Sequence, residues 1–340
     1  IEYREIAWSY VIQRNKVKNL LGDRLISLGW IDKEEKRNDF QKIVEEIKPD
    51  IIHMEEIPEK FIFGMRKEHA DWLYRPDRPY KIIETTHTST FDVNQKRYYP
   101  DKFLFVSKYS EKEYSKFNIP TAVVEYPVEK VERNKSLSIS KLNLNPDYFH
   151  ILNIGLFTRD KNQGFLFEIA NKLKDYKIHF HFVGNQAENF SDYWKPIMDN
   201  KPNNCFVYGE RDDVELFYQA VDLLVHSSIL ELNPLAIKEA TSYGLPIFMF
   251  NLPTYLDMYD SCRNIKYLTR DSVKDAQMIL DNFNIKREDD NTSFKKSLIN
   301  EYSNLLTNKL EAPRKENSYI EYIINFVDGA KIEVLGNKKL

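Results

Sequence analysis

An α/β fold of two doubly wound units in series is predicted by three observations. Short apolar strands alternate with helical patterns through the first half of the 340 residues. The alternation stops in a polar stretch, 128–148, and then restarts. Three strands of the second half run out at glycines, Gly155, Gly184 and Gly209, as strands do where they turn toward a helix in such folds.

The elements follow in order. A helical pattern over 36–48 leads through Lys48-Pro49-Asp50 into a strand at 51–53. Helical patterns at about 56–71 and 110–117 alternate with strands at 81–86, 102–106 and 121–125, the last entered through Pro120 and ended by Pro127. Apolar strands spaced in this way predict a parallel sheet covered on both faces. Residues 128–148, rich in Lys, Ser and Asn, read as a linker. Beyond it come strands at 150–157, 178–183, 205–208, 223–225 and 247–250, with helices at 163–173, 214–220 and 234–243. Phe165, Ile169 and Leu173 share one helical face. A further helix is expected at about 293–310, and two strands within 319–334 joined at Val327-Asp328-Gly329. The boundaries are 1–130 for the first unit, 149–290 for the second, and 291–340 for a helical and strand-like tail.

Composition excludes several classes. The formal net charge of −3 gives no electrostatic case for nucleic-acid binding. Two cysteines, Cys205 and Cys262, allow at most one bridge and no metal cluster. No apolar run is long enough to span a bilayer and no signal peptide is visible. The expected location is cytoplasmic, free or at a membrane surface.

The chemistry concentrates in residues 225–246. There an apolar strand passes through a polar turn into a helix at Pro234, stopped by Gly244 and Pro246. Glu231 sits in the turn and Glu239 in the second turn of the helix. Between them the amides near Asn233, Pro234 and Leu235 lie at the positive end of a helix, which suits a phosphate. Amides for a diphosphate, flanked by carboxylates for two hydroxyl-bearing rings, outline a nucleotide-sugar site. The bland alternative is a capping Glu231 and a solvated Glu239. A second basic turn, Arg159 and Lys161, follows the strand ending at Gly155. Ser227 and Ser228 add hydroxyls but are common turn residues. Asp212-Asp213 read as a helix cap, and no Asp-x-Asp pair lies in a suitable loop, so no catalytic metal is expected. His53 and His181 read as structural.

The order of these motifs resembles the retaining glycosyltransferases of the GT-B fold, family 4 or group 1. Ile151 to Gly155 with Arg159, Lys161 and Gly164, then His181 to Gly184, Cys205 to Gly209, and Val221 to Ser228 with Glu231 and Glu239, carry the resemblance. Lys48 to His53, Thr85-Thr86-His87 and Phe105 to Ser107 fall in the expected order in the first half. The resemblance implies two Rossmann-like domains facing across a cleft. It implies metal-independent, retaining transfer of a sugar from a nucleotide-sugar donor to a glycan, lipid or protein acceptor, with no cofactor. Glu239 would then take the ribose hydroxyls, Glu231 the sugar or its developing charge, and Lys161 with Arg159 the diphosphate. His87 would lie near the sugar. The sequence departs from the family in three ways. Leu232-Asn233-Pro234 stands where Gly-Phe-Gly is usual, the basic turn is respaced, and the family's first strand and glycine-rich loop are missing. Two rival readings are a catalytically inactive glycosyltransferase-like subunit, binding a protein or glycan partner through its N-terminal domain or C-terminal tail, and a nucleotide-sugar epimerase.

Overall fold

In the computed structural model the chain forms two compact units, Ile1–Glu125 with Lys295–Leu340, and Tyr126–Phe294. The residues described are 19, 25–29, 34–59, 67–124, 133–255, 258–260, 262–284, 287, 320–326 and 331–336. The expected helices at 293–310 and over the middle of 56–71 lie largely outside them.

The first unit is built on a seven-stranded sheet. Its strands are β1 (Leu25–Gly29), β2 (Ile51–Met54), β3 (Lys81–Thr86), β4 (Lys102–Phe105), β5 (Thr121–Val123), β12 (Ile320–Phe326) and β13 (Lys331–Gly336). The order is β1-β12-β13-β2-β3-β4-β5. β13 runs antiparallel to both of its neighbours, and the other pairs are parallel. β1 was not among the expected strands. The two C-terminal strands, expected as a tail, stand inside this sheet between β1 and β2. Thus the unit expected to lack its first strand takes two of its seven strands from the C-terminal segment. Ile51, Ile52, Ile82, Ile83, Leu104 and Phe105 are buried, as strands covered on both faces require. A buried charged cluster interrupts this core: Lys96 lies 3.0 Å from Glu59 and 2.9 Å from Glu84. Burial pushes the Glu84 carboxyl up to about 7, against the pull of Lys96.

The second unit carries a six-stranded, wholly parallel sheet. Its strands are β6 (Phe149–Ile154), β7 (Ile178–Val183), β8 (Cys205–Val207), β9 (Leu223–His226), β10 (Ile247–Met249) and β11 (Ile265–Tyr267). The order is β11-β10-β9-β6-β7-β8. Chain order runs outward from β6 through β7 and β8, then reverses to β9, so the topological switch point lies between β6 and β9. Helices Gln163–Lys172, Val214–Ala220 and Leu235–Ser242 fall within a residue of their expected limits. The segment expected to be a linker contains a helix, Lys135–Lys141, capped by the Asn134 side chain on the Leu137 amide. Helices Ser191–Asp199 and Ser272–Leu280, and strand β11, were not anticipated.

Three glycines end β6, β7 and β8 for definite reasons. A Cβ on Gly184, at φ +152°, would stand 2.0 Å from the Gly155 carbonyl oxygen. One on Gly155, at φ +154°, would press on the Lys161 stem at 3.3 Å. Gly209 is left-handed, at φ +71°.

His150 and His181 form a buried chain on this sheet. His150 Nε2 is 2.9 Å from the Asn145 carbonyl, which can only accept. Its Nδ1 must therefore accept from His181 Nε2 at 2.9 Å, and His181 Nδ1 from the Tyr208 hydroxyl at 2.8 Å. Both imidazoles are neutral in this arrangement. Burial depresses His150, and depresses His181 to about 3. The unfolded chain takes up these protons below pH about 6.5 while the folded chain resists. The stability these groups contribute is therefore intact above that pH and is lost as pH falls from about 6.5 toward about 3. Thermal melts from pH 7.5 to 4.5 should show a falling Tm, with a flatter slope in His181→Gln. Identical slopes would contradict this account.

Candidate functional site

The switch point brings two loops together. The loop after β6 carries Arg159 and Lys161, and the loop after β9 carries Ser227 to Pro234. They are stitched by their backbones. The Ile229 amide donates to the Asp160 carbonyl at 2.8 Å. The Ser227 hydroxyl lies 3.0 Å from the carbonyls of both Lys161 and Asn162. Ser227 is thus a structural clasp between the loops, and Ser228 beside it is buried.

Clasping the loops sets the Lys161 ammonium directly against the Glu231 carboxylate as an ion pair. His226, the last residue of β9, backs the same carboxylate with Nε2 3.4 Å from Oε1. The Thr254 hydroxyl donates to the Glu231 carbonyl at 2.5 Å, which holds the backbone. Burial pushes the Glu231 carboxyl up, but His226 and the Lys161 charge outweigh it and hold the group at about 2. Burial in turn lowers His226, despite the neighbouring carboxylate. The result is an ionised carboxylate and a cation at the carboxyl ends of two adjacent parallel strands. Lys161 is 28 % exposed in its side chain, so the cation remains reachable.

Glu239 lies on the following helix, Leu235–Ser242. The expected helix start at Pro234 shifts by one residue: Pro234 is the N-cap, extended at φ −69° and ψ 119°, and Leu235 opens the helix. Leu235 is exposed. The Glu239 carboxylate accepts from the Tyr218 hydroxyl at 2.6 Å. Burial raises the Glu239 carboxyl and this hydrogen bond opposes the rise.

Two expected residues stand elsewhere. Arg159 is 70 % exposed and donates to Asp192 at 2.8 Å, so it is not joined with Lys161 on Glu231. His87 belongs to the first unit, just beyond β3, where its Nε2 is 3.0 Å from Glu55. Glu55 also lies 3.5 Å from His53 Nδ1, and His53 Nε2 lies 2.7 Å from the Thr85 hydroxyl. His53 is buried, whereas His87 reaches solvent. Asp212 and Asp213 precede helix Val214–Ala220, but Asp213 makes no side-chain cap and instead accepts from Arg211 at 2.6 and 2.8 Å. Sequence reading missed His226, Tyr218 and Arg287. His226 was legible as a polar end to an apolar strand in the signature run. Tyr218 and Arg287 gave no local signal. Cys205 and Cys262 are buried and are not joined in a disulfide. Among the described residues, no helix is long and apolar enough to cross a membrane, and no group of three His, Cys, Asp or Glu residues could hold a metal ion.

Residues 134–275 match the family of glycosyl transferases group 1. The O-antigen biosynthesis glycosyltransferase WclY of Escherichia coli is 22% identical over 165 residues, which cover 47% of this chain and 46% of that protein. The matched stretch is thus about half the length of this curated relative. A sucrose-phosphate synthase of Thermosynechococcus elongatus superposes with a TM-score of 0.59 at 16% identity, covering 73% of this chain and 68% of that one. Anabaena HepE in complex with UDP and glucose gives a TM-score of 0.60 at 18% identity, over 72% of this chain and 71% of its own. These likenesses establish the fold as the two-domain, Rossmann-like GT-B type.

Proposed function

We propose that this chain, whose residues 134–275 match the family of glycosyl transferases group 1, moves a sugar from a nucleotide-sugar donor to an acceptor hydroxyl, with retention and without a metal. One observation carries the reading. The clasped loops at the switch point hold Lys161 against Glu231, and the helix that bears Glu239 begins from the same loop.

Breaking the anomeric C–O bond leaves a diphosphate, and the growing negative charge is the main electrostatic cost. A preorganised ammonium and helix-end amides answer that cost with no metal. Glu231, kept ionised, suits the sugar hydroxyls or the positive charge that develops on the ring. Glu239 suits the ribose hydroxyls. Retention follows the family resemblance, and the UDP and glucose held by HepE support a nucleoside diphosphate donor. The acceptor is a glycan, lipid or protein hydroxyl.

The test is a screen of common nucleotide sugars for hydrolysis and transfer, with thermal shift as the binding readout. Glu239→Ala should weaken nucleoside diphosphate binding by about 1–3 kcal/mol, the scale of a lost charged hydrogen bond. Calorimetry giving equal affinity in the folded variant and parent would remove Glu239 from the donor site.

A second reading has one observation in its favour: Lys161 is already engaged by Glu231, so a diphosphate has to compete for it. A glycosyltransferase-like subunit that binds a protein or glycan partner would keep that pair closed. Absence of transfer from every common donor, together with glycan or partner binding that survives Lys161→Ala, would favour this reading.

A further inference from the structure

Glu239 is held by a small assembly that the donor-site reading does not itself require. Tyr218, on helix Val214–Ala220, is 2% exposed, and its hydroxyl points at Glu239 Oε2 from 2.6 Å. The other acceptor near that hydroxyl, the Ala236 carbonyl, is 3.4 Å away, so the hydroxyl donates its hydrogen bond to the carboxylate. The Tyr218 ring is stacked on Tyr243, with centroids 5.4 Å apart and planes 13° apart. Its backbone is pinned as well. The half-buried Arg287 guanidinium donates to the carbonyls of Tyr218 at 2.8 Å, Gln219 at 3.0 Å and Tyr243 at 3.2 Å. One arginine therefore ties the end of the helix bearing Tyr218 to the end of the helix bearing Glu239.

We infer that Tyr218 is a positioning residue for ribose recognition: it fixes the rotamer of Glu239 so that the carboxylate presents its remaining lone pairs to the 2′- and 3′-hydroxyls of the donor nucleotide. This rests on the donor-site reading of Glu239 given above. An ionised carboxylate offers about four lone-pair directions, and Tyr218 takes one. A buried Glu carrying a free rotamer would lose side-chain entropy on binding and would be prone to protonation. A phenol in a fixed frame removes the first cost and opposes the second. Tyr218 is too deeply buried to be needed by the diphosphate or the base, so its effect should be confined to the sugar hydroxyls.

That confinement is the test. Using the full chain, calorimetry first ranks UDP, GDP, ADP and CDP. The tightest is then compared with its 2′-deoxy and 2′,3′-dideoxy forms, and with pyrophosphate, for the parent and for Tyr218→Phe. The expected result is a parent preference of about tenfold or more for the ribonucleotide over the dideoxy form. In Tyr218→Phe the preference should shrink to about twofold, with pyrophosphate and dideoxynucleotide affinities unchanged. A merely structural loss would weaken every probe alike, and that outcome would overturn the inference. So would a full ribose preference in Tyr218→Phe, which leaves the donor-site reading standing. A parent that binds no nucleotide, or does not distinguish ribose from dideoxyribose, would overturn the donor-site reading and this inference with it. Should Tyr218→Phe fail to fold, Tyr218→Leu, which also lacks the hydroxyl, is read by the same ratios.

Discussion

Replacing Lys161 with alanine should cut turnover about 10²–10³-fold, the usual cost of losing one preorganised charge donor. The charge Lys161 meets grows as the bond breaks, so kcat should fall much more than donor affinity. The substitution also strips Glu231 of its ion-pair partner. That carboxylate is 13 % exposed and would be left buried with His226 as its neighbour, so its pKa should climb from about 2. A second signature follows: the acid limb of the pH–rate profile should move upward in Lys161→Ala. Arg159→Ala is the internal comparison. Its guanidinium is exposed and tied to Asp192, so it should cost well under tenfold. Steady-state transfer with the donor found by screening decides the matter, and a Lys161→Ala kcat within about threefold of the parent would take Lys161 out of the chemistry.

Gly184→Ala should be among the most destabilising single substitutions in the chain, at about 4 kcal/mol or more. Its Cβ would stand 2.0 Å from a backbone oxygen, that of Gly155, and backbone cannot swing aside as a side chain can. The residue would also be held at φ +152°, which L side chains rarely adopt. Any relief requires the ends of β6 and β7 to part. The Gly155 amide donates to the Val183 carbonyl at 3.0 Å, so parting them breaks the ladder where the loop bearing Lys161 begins, and the Gly184 amide is itself tied to the Gly209 carbonyl at 2.8 Å. Denaturant melts of the variant against the parent give the cost directly. A loss below about 1 kcal/mol would show that the strand ends yield more easily than this geometry allows. Turnover should fall with stability, because Lys161 packs its stem over Gly155.

Much of the second unit was legible in the sequence because its signals are local. Apolar runs such as Leu223 to Val225 mark strands wherever they sit in space. The helix opening at Leu235 was announced by Pro234 and closed by Gly244. The helix Lys135–Lys141 was missed because its polar sequence has no sustained apolar face, and its order comes from packing on the second unit rather than from its own pattern. Arg159 was paired with Lys161 from their shared turn after the strand ending at Gly155 and from the family resemblance. Two residues apart in a turn, they point to different partners, Asp192 and Glu231, and only coordinates reveal which.

By itself, then, the sequence determined the alternation of strands and helices, the restart after residue 148, the glycines at the strand ends, and the two glutamates flanking a helix start. These depend on period, caps and backbone freedom, which act within a few residues. The tertiary structure alone decided which strands became neighbours. It set β6 beside β9, so that loops 66 residues apart share Lys161 and Glu231 through the Ser227 clasp. It placed β12 and β13 between β1 and β2, a pairing that no local pattern specifies because strand edges recognise any free ladder of amides and carbonyls. It also chose Tyr218 for Glu239 and Arg287 for the two helix ends. A buried hydroxyl or guanidinium must bond to whatever polar group the packed fold brings within reach, and that group is chosen by the fold, not by distance along the chain.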